Sequence, residues 1–82
     1  MERDEGKYDT GQLAAMNAME RDWGWHYQKG DKRPAGEYIP KDEAAAIAEY
    51  ALKFGKFPPC GISKDQRGHI RHKYNIPTHI LP

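Results

Sequence analysis

The chain has 82 residues, a formal net charge of +1 and a single cysteine, with 30% charged and 38% hydrophobic side chains. A chain this short buries only about 60 to 65% of its unfolded surface, which argues for one domain with a thin core and against a large enclosed active site. Two Trp, five Tyr and two Phe argue against disorder. Cys60 has no partner for an internal disulfide, and no apolar run approaches the roughly 20 residues of a membrane span or forms the core of a signal peptide. The expectation is a soluble cytoplasmic protein.

Residues 1–8 read as a flexible acidic lead-in to a single compact domain over 9–82. Asp9 then suits a helix N-cap, with Gln12 at the capping-box spacing. A first helix is expected from about Thr10 to Asp22, with Leu13, Met16, Met19 and Trp23 as its apolar stripe. After Gly24, the run Trp23-Gly-Trp-His-Tyr-Gln28 alternates aromatic with small or polar residues, the period of a half-buried strand. Gly30, Pro34 and Gly36 mark a turn-rich loop, and Glu37-Tyr-Ile39 reads as a return strand closing a small hairpin. Two strands alone are marginal in water, so such a hairpin must lean on a helix.

Pro40 opens a second helix, with Asp42 and Glu43 against its positive end and Ala44, Ala45, Ala46 and Ala48 adding propensity. Ile47, Tyr50, Ala51 and Phe54 fall on one stripe, and Gly55 provides the stop. Pro58 and Pro59 force extended geometry. Ser63, with Gln66 at the box position, starts a third helix to about Tyr74 whose strong inward residues are Ile70 and Tyr74. Gly68 in its interior costs about 1 kcal/mol relative to Ala. The fold class expected is therefore α+β, three helices and a short β-hairpin.

Charge along the chain is polarised. From Tyr50 onward there are six cations (Lys53, Lys56, Lys64, Arg67, Arg71 and Lys73) against one acid, Asp65, whereas residues 1–22 hold six acids and three bases. On the third helix Lys64 and Arg71, with Arg67 at the edge, lie on one side of the inward stripe and His69 and Lys73 on the other, an arrangement suited to straddling a phosphate backbone with Lys64, Arg67, Arg71, His72 and Lys73 as the contacts. Lys29, Lys32 and Arg33 lie beside Trp25 and Tyr27, and aromatics next to cations are how single-stranded nucleic acid is held. The same residue types form protein hot spots, and in so thin a core the rings are more often the core itself.

The segment Ile70-Arg-His-Lys-Tyr-Asn-Ile-Pro-Thr-His-Ile-Leu81 resembles the middle of a helix-turn-helix, with Asn75 where such turns often carry Gly. The resemblance implies left-handed backbone at Asn75 and groove-facing roles for Thr78 and His79. With Pro82 closing the chain, it implies backbone contact and not base reading. The alternative is that His79-Ile-Leu81 is a short apolar tail that packs back onto the hairpin or the second helix.

Other chemistry is poorly provided for. Cys60, His69 and His72 would make an incomplete metal set unless His26 or His79 joined them, and no paired CxxC exists. Glu43 and Glu49 do not share a helix face, Cys60 has no nucleophile setting, and Gly61 and Gly68 lack the spacing of a phosphate loop. No enzyme activity, cofactor or metal is expected. The leading expectation is a small regulatory or accessory protein that binds DNA or RNA mainly by backbone contacts. Its rival is a protein-binding inhibitor or adaptor acting on a larger host complex. A compact domain with charge and aromatics but no catalytic set resembles the small proteins that phages and mobile elements encode to redirect host systems.

Overall fold

A computed structural model describes residues 8–30, 33–34, 38–59 and 61–81. Three α-helices carry the fold: α1 (Thr10–Trp23), α2 (Lys41–Phe54) and α3 (Lys64–Lys73), with one 3-10 turn at Tyr27–Lys29. Among the described residues there is no strand, and a parallel bridge joins Lys56 to Leu81. The expected α+β class with a hairpin is thus corrected to a mostly helical domain.

The helix ends follow from local chemistry. At α1 the Gln12 amide donates to Asp9 Oδ1 at 2.8 Å and the Asp9 amide donates to Gln12 Oε1 at 3.0 Å, a complete capping box. At α3 the Gln66 amide donates to Ser63 Oγ at 3.1 Å and the Ser63 amide to Gln66 Oε1 at 3.0 Å, the same device. Gly24 and Gly55 close α1 and α2, each with φ of 80°, a left-handed cap that a side chain would strain.

Gly24 is also why the expected first strand does not form. Its left-handed backbone turns the chain sharply after Trp23, which completes α1, and Trp25 and Tyr27 then serve packing within a tight turn. Tyr27 is fully buried, and Trp25 is half-buried beneath the Arg33 guanidinium, 4.6 Å from its ring centroid. The alternation of period 2 therefore marks rings used as core. Of the expected return strand, Glu37 lies outside the described residues, and Tyr38 and Ile39 pair with no strand among them.

The core joins all three helices. Met16 and Met19 of α1 meet Ile47, Tyr50 and Ala51 of α2, and Ile70, Ile76 and Ile80 complete it from α3 and the segment after it. Tyr8 also belongs to this core, so burial begins before the α1 cap. No helix among the described residues is long and apolar enough to cross a membrane.

Candidate binding surface

The basic residues of the third helix take three different roles. Arg71 turns onto the protein's own tail: Nη1 donates to the Pro77 carbonyl at 2.9 Å, Nη2 donates to the Ile80 carbonyl, and the guanidinium lies 5.1 Å from the Phe57 ring centroid. Arg67 is half-buried and donates from Nη1 to the Ile62 carbonyl at 3.2 Å. Lys64, His72 and Lys73 are exposed.

Between Asn75 and Leu81 the chain reverses. Asn75 adopts φ of 55°, the left-handed geometry implied by the helix-turn-helix resemblance, but the residues after it form a turn instead of a helix. The Phe57 amide donates to the Leu81 carbonyl at 2.8 Å and the Leu81 amide donates to the Gly55 carbonyl at 3.2 Å. Ile80 is buried, while Thr78 and His79 remain exposed on the turn. The tail therefore packs back just beyond the end of α2.

The loop cations also separate. Arg33 is not on the surface. Its Nη2 donates to Glu43 Oε2 and, at 3.4 Å, to the Tyr27 hydroxyl oxygen, while that hydroxyl donates to the same Glu43 oxygen. The Arg33 and Glu43 side chains are 2% and 1% exposed. Burial of this kind makes the trio a fastener between the 24–33 loop and α2, because charges so far from water persist only when paired. Lys29 is exposed at the end of the 3-10 turn, and Lys32 lies outside the described residues.

A groove opens where the start of α2 diverges from α3, with a volume of about 530 Å³. On α3, Gln66, His69, Ile70, Lys73 and Tyr74 line it at i, i+3, i+4, i+7 and i+8, a single helical stripe. Ile39 and Ala44 face them from the α2 side. Ile70 is buried at the floor, and Tyr38 stands on the rim at 79% exposure. Lys41, His69 and Lys73 are exposed around the groove, with Asp65 the lone acid lining it among the described residues. Tyr74 also borders a shallower depression with Ala45, Ala48 and Leu52, so the apolar surface continues along α2.

Sequence reasoning does not single out this groove. Its signal is present in the α3 stripe, but the hairpin expectation places Tyr38 and Ile39 in a strand. Only the placement of α2 beside α3 turns these residues into one surface.

Among the described residues no three His, Cys, Asp or Glu side chains gather to hold a metal ion, and Cys60 lies outside them. Comparisons with protein-family models, with curated proteins and with solved structures gave no match for this chain.

Proposed function

We propose that this chain is a non-enzymatic protein-binding module, an adaptor or inhibitor that works by docking onto a larger partner through the α2/α3 groove. The observation that carries this reading is the groove's make-up: an apolar floor of Ile39, Ala44 and Ile70, an exposed Tyr38 at the rim, and lysines around it. Exposed aromatics beside a desolvating floor are what concentrate binding energy at protein interfaces. Arg67 and Arg71, the arginines of α3 best suited to clamp phosphate, each donate to backbone carbonyls of the fold, and Arg33 of the loop is paired with Glu43, which weakens the nucleic-acid alternative.

A tagged copy produced in the source organism tests the proposal. Retention of a stoichiometric protein partner after nuclease treatment supports it. A partner that is lost on nuclease treatment contradicts it.

Nucleic-acid backbone binding remains the second reading, favoured by one observation. Lys64 and His72 are exposed on the outer face of α3, away from the groove, with half-buried Arg67 at its edge. That reading expects low-salt binding to duplex DNA, single-stranded DNA or RNA that falls steeply as salt rises.

A further inference from the structure

Resting on the protein-docking reading, we infer that the groove receives an acidic amphipathic helix of the partner, its apolar side chains inserted along the floor and its carboxylates facing the lysines. Three features select this occupant.

Shape comes first. The α3 stripe from Gln66 to Tyr74 runs about two helical turns, and Tyr74 carries the apolar surface on toward Leu52, which is itself exposed. A stripe two turns long beside a helix fits a second helix presenting residues at i, i+3, i+4 and i+7.

Charge comes second. Lys41 and Lys73 stand at the groove with Lys53 in the adjoining depression, against Asp65 and Glu49. Among the described residues the α2/α3 groove itself holds two lysines and one acid, which favours a carboxylate-bearing face over a basic one. These lysines take no part in a salt bridge found among the described residues.

The third feature is the apolar floor. Ile39, Ala44 and Ile70 supply no hydrogen-bond donors from their side chains, so a phosphate backbone would find its partners among Lys41, Ser63, Gln66, His69 and Lys73 and leave the apolar floor unused. An apolar anchor uses that floor, which is why a peptide suits the groove better than nucleic acid does.

The test uses the full chain as bait for a displayed library of random peptides about 12 residues long, enough for about three helical turns. The enriched peptides are then titrated into isotope-labelled protein. The inference expects enriched sequences to combine Asp or Glu with large apolar residues at helical spacing. It expects amide shifts at Tyr38, Ala44, His69, Lys73 and Tyr74, and about tenfold weaker binding for Lys41→Glu with Lys73→Glu. Lys64→Glu, on the outer face, should leave binding unchanged, whereas Lys73→Glu alone, with the same change in net charge, should weaken it.

Enrichment of basic peptides, failure to enrich any peptide, shifts confined to another face, or an equal response of the groove amides to a duplex oligonucleotide overturns the inference. The broader reading fails separately, when no protein partner is retained after nuclease treatment. A nuclease-resistant partner whose binding ignores the Lys41/Lys73 reversal keeps the docking function and removes the groove as its site.

Discussion

Arg33 and Glu43, ten residues apart, meet as an ion pair with both side chains almost wholly out of water, and Tyr27 donates its hydroxyl to the same carboxylate oxygen. This trio joins the turn after α1 to the first turn of α2. Removing one partner strands the other charge in a low-dielectric site, which costs about 3 to 5 kcal/mol. Glu43→Gln and Arg33→Met should each lower the free energy of unfolding in urea by about 3 kcal/mol. Arg33→Met combined with Glu43→Leu should recover much of that loss, and adding Tyr27→Phe should recover more by removing a hydroxyl left without its acceptor.

Arg71 is expected to act on the tail before it acts on any partner. Arg71→Ala leaves the Ile80 carbonyl without its Arg71 donor and the Pro77 carbonyl with the Ile80 amide alone, and should cost about 1 to 2 kcal/mol. Hydrogen exchange is the sharper measurement, because the Phe57 and Leu81 amides bond across the same junction. Both should lose protection in the variant, and Arg71→Lys should restore it only in part, since an ammonium cannot span both carbonyls as a planar fork does.

Gly68 faces open space from the middle of α3, with nothing within 4 Å of where a Cβ would lie. Gly68→Ala removes backbone entropy from the unfolded chain and adds helix propensity, so it should stabilise by about 0.5 to 1 kcal/mol. For a domain of this size that raises the melting midpoint by about 2 to 8 °C, measured by circular dichroism.

Tyr50 gives the fold an alkaline limit. Burial raises its hydroxyl above the ordinary 10.0, the nearby Tyr8 and Asp9 charges push the same way, and a Gln12 hydrogen bond opposes them. A group that holds its proton more tightly when folded contributes stability that is intact below the unfolded pKa and is lost as pH rises through the folded one. Urea midpoints should therefore fall above about pH 10, and Tyr50→Phe should make that fall shallower.

How far these features can be read from the sequence depends on the range of the interactions behind them. Both capping boxes, the Gly24 and Gly55 stops and the left-handed Asn75 are set by residues within four positions, and each is legible. The segment from Trp23 to Gln28 is not, because its alternating rings satisfy a strand's period equally well when they pack in a turn. Nor is the fate of the arginines. Whether Arg33 or Arg71 faces water depends on Glu43, Phe57 and Ile80, partners that only the folded topology brings near. The groove is hidden for the same reason, with its two walls separated in sequence by the rest of α2 and the segment that follows it.

The most direct measurement compares two charge reversals in capture of the partner after nuclease treatment: Lys41→Glu with Lys73→Glu at the groove, and Lys64→Glu with His72→Glu on the outer face of α3. The docking account predicts that the groove pair sharply reduces capture while the outer pair leaves it intact. Loss of capture from the outer pair alone, with the groove pair still binding, would contradict it.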